Sequence, residues 1–152
     1  MIHLKHVLLK VMLLGFFAMF VQFAAAQKKV SGLWEGKLTQ NEGSLWTEYN
    51  FKIMISQNKK DLTGECSVVV DKIYANMEFA GKIDGNKVHL EEKTLLKHTE
   101  REDLEWCLKV IDLTFTVKNN TEVLEGTWTG RTKQGTVCIP GKIYLKKGII
   151  RA

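Results

Sequence analysis

Few residues in this chain could carry chemistry. Past the first 26 residues they are Cys66, Cys107, Cys138, His89, His98, and a carboxylate in an apolar phase, Glu92. Catalysis needs a nucleophile beside a base, paired carboxylates in a cleft, or a set of metal ligands. No Gly-x-Ser-x-Gly elbow, phosphate-cradling glycine loop or Cys-x-x-Cys pair is present. His89 takes the outward phase of its segment and His98 lies in an acidic link, so both read as surface residues. The expectation is a protein that is not an enzyme and uses no metal and no cofactor.

Glu92 is the more informative residue. It follows Val88 and Leu90 in one alternating phase, with Thr94 next. A carboxylate withdrawn from water needs partners or a raised pKa. In an interior it would be a polar anchor for a ligand. The run "EEK" also reads as a strand end that leaves Glu92 at a wet rim, and the rim is the preferred reading. Tyr49 shares the inward phase of Phe51 and would bring a hydroxyl into an otherwise apolar space.

The elements that must position these residues follow from the rest of the chain. "MIHLKHVLLK" is a basic start, "VMLLGFFAMFV" an apolar run and "FAAA" a small-residue cleavage region, the layout of a secretory signal peptide. Residues 1–26 are therefore expected to be removed and residues 27–152 to form one exported domain, periplasmic or extracellular. The formal charge of +5 falls to +3 without Lys5 and Lys10. No basic run with interleaved aromatics remains, so nucleic acid is not an expected partner.

In an exported protein three cysteines suggest one disulfide and one thiol left over. Cys107 and Cys138 are preferred over any pair with Cys66, which reads as mid-strand and buried. Two strand spacings of about 4.8 Å exceed disulfide reach, so a bulge near Pro140 or fraying would have to bring them together. "NNT" at 119–121 accepts a glycan only in a host with a glycosylating export pathway.

The mature chain breaks into eight runs with period-two alternation separated by polar turns, the signal of a meander of strands. The inward phase holds Trp34 and Leu38; Phe51, Ile53 and Ile55; Leu62, Cys66, Val68 and Val70; Met77, Phe79 and Ile83; Val88 and Leu90. It continues with Ile111, Leu113, Phe115 and Val117; Leu124 and Trp128; Ile139, Ile143 and Leu145. The opposite phase is rich in Glu and Lys, the reverse of a membrane-spanning barrel. The fold class is all-β: an antiparallel up-and-down eight-stranded closed β-barrel following the signal peptide, and not membrane-spanning once processed.

One five-residue pattern occurs twice, "GLWEG" at 32–36 and "GTWTG" at 126–130. Residues two apart share a strand face, so each Trp points inward with its two glycines. With matched strand ends, Gly36, Gly126 and Gly141 would form a row at one level, with the two indoles on either side. Gly32-Leu33-Trp34 on the first strand resembles the lipocalin and calycin superfamily; the meander and phrases such as "LEGTWTG" also resemble the avidins. The resemblance implies a soluble barrel binding a small molecule, with Lys146, Lys147 or Arg151 over Trp34. It brings no ligand with it, because no second lipocalin motif is present and the biotin-binding positions of avidins do not align.

The expected function is non-covalent binding of a small apolar or amphipathic ligand in one end of the barrel, at Trp34, Tyr49, Phe79, Glu92, Phe115 and Trp128. The alternative is a filled barrel acting through its surface as an envelope or interaction module. Five aromatic residues compete for a barrel interior only wide enough for side chains or one small ligand, so a cavity should be small or confined to one end.

Overall fold

The computed structural model describes residues 28–149. The signal-peptide expectation and Arg151 fall outside the described residues. Strands with one dry face leave unpaired edges unless the sheet closes on itself. The chain forms β1 (Gly32–Thr39), β2 (Glu48–Asn58), β3 (Asp61–Val70), β4 (Ile73–Asp84), β5 (Lys87–His98), β6 (Cys107–Lys118), β7 (Thr121–Thr132) and β8 (Gly141–Lys147). Each strand pairs antiparallel with the next and β8 returns to β1, giving a closed barrel in chain order.

The meander sorts the connections into two ends. The hairpin turns β2–β3, β4–β5 and β6–β7 share one end with the start of β1 and the end of β8. The β6–β7 hairpin turns on Asn119 and Asn120, whose φ of 48° and 60° suit a two-residue type I′ turn. The longer connections β1–β2, β5–β6 and β7–β8 gather at the opposite end, with the tight β3–β4 turn between them. β8 begins at Gly141, five residues later than the alternation suggested, because Pro140 has no N–H for a ladder. Its carbonyl accepts the Asn41 N–H at 2.9 Å instead.

The inward phase forms one core that includes Trp34, Phe51, Phe79, Leu113, Leu124 and Ile143, all essentially shielded from water. Val117 departs from expectation and is 60 % exposed, since β6 runs on past the barrel into its hairpin. The outward faces pair charges across strands, Lys37 with Glu48 at 2.8 Å and Lys118 with Glu125 at 2.7 Å. Such exposed pairs contribute at most about 1 kcal/mol each.

The register overturns the expected glycine row. Gly126 lies opposite Ile143, Gly36 opposite Leu145 and Gly141 opposite Trp128. Strand stagger around the barrel sets these levels apart. Each glycine instead marks a point where a neighbouring backbone crowds in. A Cβ would sit 2.1 Å from the Tyr144 carbonyl oxygen at Gly36 and 1.9 Å from that of Asp112 at Gly126. Tight coiling of β1 and β7 against their neighbours is therefore possible only with glycine there.

Gly126→Ala should lower stability by about 1–3 kcal/mol or more, as forced overpacking does. Thr127→Ala, on the exposed face, should stay within about 0.5 kcal/mol. Urea unfolding of both variants checks this, and equal midpoints would contradict the close approach.

Candidate functional site

The two tryptophans of the repeated pattern lie at opposite ends of the barrel, because Trp34 comes early in β1 and Trp128 late in β7, which runs the same way. Trp34 plugs the hairpin end. Its indole N–H donates to the Val30 carbonyl at 2.7 Å, and its ring meets Phe115 edge-on with centroids 6.2 Å apart. The Lys147 ammonium stands 4.4 Å from the Trp34 ring centroid, within cation–π range. Of the three basic residues considered for this position, the pairing of Trp34 with Lys147 across β1 and β8 brings in Lys147. That end is filled.

The other end is open. A cavity of about 310 Å³ lies there under the long connections, at the lower limit of volumes that hold small molecules, about 300–1,000 Å³. Leu38, Val68, Val70 and Trp128 form its inner wall, and Trp46 and Trp106 its lip. The Trp128 indole N–H donates to the Thr39 carbonyl at 2.8 Å, which fixes the ring and turns its apolar surface to the cavity. The Tyr49 hydroxyl donates to Gln40 Oε1 at 2.5 Å, and the Gln40 amide donates to the Ile139 carbonyl at 3.3 Å. Partial burial pushes the Tyr49 hydroxyl pKa up, so it stays a neutral donor.

Below the cavity sits an ion pair. Lys109 on β6 points inward and its ammonium lies 2.9 Å from Glu92 Oε2, with side-chain exposures of 5 % and 0 %. The same Oε2 accepts the Lys109 backbone N–H at 2.8 Å, and Oε1 accepts the Cys66 thiol at 2.9 Å. The local strand pattern makes this possible. Pairing of β5 with β6 stops at Glu91 and Val110, so the next β6 amide lacks a β5 carbonyl and takes the Glu92 carboxylate instead. Between Glu78 and Phe79 the β4–β5 register shifts, with Lys93 as the additional residue, and a second shift follows at Leu96. Glu92 is thus interior, not at the rim: β5 continues to His98 and "EEK" does not end it.

The Lys109 ammonium also donates to the Cys107 carbonyl at 3.4 Å and stands 5.9 Å from the ring centroids of both Phe51 and Trp128. It reaches the cavity, whereas Glu92 does not line it. Burial, and secondarily the Glu92 charge, push the Cys66 thiol well above its ordinary pKa. A thiol held protonated is a poor nucleophile.

The lip is tied down covalently. Cys107 and Cys138 form a disulfide with Cα atoms 6.3 Å apart. It spans β7 because Cys138 precedes β8 and folds back, its N–H donating to the Gly130 carbonyl at 3.0 Å. A Cβ on Gly130 would lie 3.5 Å from that of Cys107 and 2.8 Å from the Leu108 carbonyl oxygen, so the last glycine of "GTWTG" leaves the crossing clear.

Of the six expected ligand residues, Tyr49 and Trp128 line the cavity, and Glu92 lies one contact behind it through Lys109. Trp34, Phe79 and Phe115 belong to the packed part of the core. Lys109 was missed by sequence reasoning. Its signal was available: it lies two residues before Ile111 in the phase of Leu113 and Phe115, and its charge hid it. His89 faces outward as expected, 2.7 Å from Asp112, whose hydrogen bond raises the imidazole pKa. Among the described residues no group of three or more His, Cys, Asp or Glu could hold a metal ion.

No family model matches the chain, and neither a curated protein nor a solved structure matches it.

Removing one partner of a buried pair strands the other charge, at about 3–5 kcal/mol, whereas neutralising both is often tolerated. Lys109→Met alone should therefore be strongly destabilising. Glu92→Gln/Lys109→Met should regain most of the loss, because the amide oxygen at position 92 still accepts the backbone N–H at position 109. Chemical unfolding of both proteins decides; a double variant no more stable than the single one would contradict the buried pair.

Proposed function

We propose that this protein is an exported, calycin-like barrel that binds one small apolar or amphipathic molecule non-covalently at its open end. The observation that carries this reading is the cavity of about 310 Å³, walled by Trp128, Leu38 and Val68 and reached by a buried ammonium. Apolar burial supplies affinity, at roughly 25 cal/mol per Å² of surface removed from water, and the few polar groups set orientation. The packed end with Trp34, Phe79 and Phe115 is the rigid base on which the pocket stands. Among the described residues the inner wall, Leu38, Val68, Val70 and Trp128, holds no nucleophile beside a base, which supports reading the protein as a carrier or scavenger and not an enzyme.

Export is supported by two observations. Residues 1–26 have the layout of a secretory leader, and the Cys107–Cys138 disulfide belongs to an oxidising compartment.

Three of the four tryptophans of the chain, Trp46, Trp106 and Trp128, line the cavity. An environment-sensitive naphthalene dye should therefore bind one-to-one, gain emission and change tryptophan fluorescence. Val70→Trp fills the pocket from its wall and should weaken dye binding by about tenfold or more, the worth of roughly 1.4 kcal/mol, while the protein stays folded. Dye binding unchanged by Val70→Trp would overturn the reading and return the function to the outer surface of the barrel.

A further inference from the structure

The chemistry of the pocket narrows the class of its ligand, an inference that rests on the binding reading above. Three charged residues line the cavity: Lys109, Asp103 and Glu105. Lys109 is already neutralised from behind by Glu92 at 2.9 Å. Asp103 and Glu105 stand at the exposed lip, and Asp103 shares its charge with Arg101 through a two-pronged contact, at 2.9 Å and 2.5 Å. The pocket therefore offers no uncompensated positive charge, and an anion entering it would meet carboxylates ahead and Glu92 beneath.

An ammonium has three N–H donors. Among the described residues, that of Lys109 has two acceptors, Glu92 Oε2 and the more distant Cys107 carbonyl at 3.4 Å. On its flanks are the faces of Phe51 and Trp128, which attract a cation but accept only weakly. The third donor is left for an oxygen arriving from the cavity. Two other polar side chains of the lining are engaged with each other and the backbone: the Tyr49 hydroxyl donates to Gln40, and the Gln40 amide to the Ile139 carbonyl.

We infer that the ligand is an uncharged amphipath, an apolar body ending in a carbonyl or hydroxyl oxygen that accepts a hydrogen bond from Lys109 at the cavity floor. The body lies against Trp128, Leu38 and Val68, and the acceptor points down the barrel toward Glu92. An uncharged head costs less to desolvate than an ion. It gains a charge-assisted hydrogen bond without asking the pocket to balance a second anion.

Four probes of one medium chain length test this by dye displacement: a methyl ketone, a primary alcohol, a carboxylate and an amine. The ketone and the alcohol should bind about tenfold or more tighter than the carboxylate and the amine. Glu92→Gln/Lys109→Met should weaken binding of the ketone and the alcohol by about tenfold or more, the value of one hydrogen bond to a charged donor. The ranking on the unaltered protein decides alone if that variant does not fold. The carboxylate or the amine binding tightest, or ketone and alcohol affinities unaltered in the folded variant, would overturn the head-group assignment and leave the pocket standing. The dye binding while none of the four displaces it would do the same. Failure of the dye and all four probes would remove the pocket reading as well.

Discussion

A carboxylate cannot be shut inside a barrel alone, and the way Glu92 is compensated organises the molecule. Its two oxygens receive an ammonium, a backbone N–H and a thiol. The ammonium and the N–H both come from Lys109, so one residue satisfies most of the charge and also ends the β5–β6 ladder, which stops at Glu91 and Val110. Charge compensation and the opening of the sheet are thus one event. Below the pair the interior is packed with aromatic and aliphatic side chains; above it the strands part and the long connections enclose a cavity. Partly satisfied polar networks are worse than an apolar core, which is why three donors from two strands converge on this one side chain.

The two Gly-Trp patterns serve that division from both ends. Each indole is anchored by a backbone carbonyl, Val30 for Trp34 and Thr39 for Trp128, and each has a lysine near its face. Lys147 closes the filled end and Lys109 floors the open one. Gly36 and Gly126 allow neighbouring carbonyls to approach, and Gly130 lets the disulfide cross. The same five-residue phrase thus makes a plug in one strand and a pocket wall in another, and position along the strand makes the difference.

Period-two alternation made the barrel legible from sequence, along with most of its core, because the phase of a strand is a local property. What depends on pairing was not legible. The glycine row failed because register across β7, β8 and β1 sets Gly126, Gly141 and Gly36 against Ile143, Trp128 and Leu145. The same register picks Lys147 out of three basic candidates for Trp34. Glu92 was assigned to the rim because charged neighbours imitate a strand end, yet two register shifts carry β5 on to His98. Lys109 went unread for a related reason: a charge in the inward phase makes sense only once its partner on another strand is known. The Cys107–Cys138 pairing was reachable because Cys66 reads as mid-strand and buried. Of the two routes open to the pair, a bulge near Pro140 or fraying of β6, the chain folds back at Cys138 before β8.

The central claim is that the open end holds a molecule, and native mass spectrometry tests it most directly. The protein would be purified gently from its own host and weighed under native and then denaturing conditions. A native mass exceeding the chain by a discrete increment, released intact on denaturation, is the expected result, and a mass that equals an uncharged oxygen-bearing amphipath would extend it. A native mass equal to the bare chain across repeated preparations would contradict a resident ligand and turn attention to the outer face.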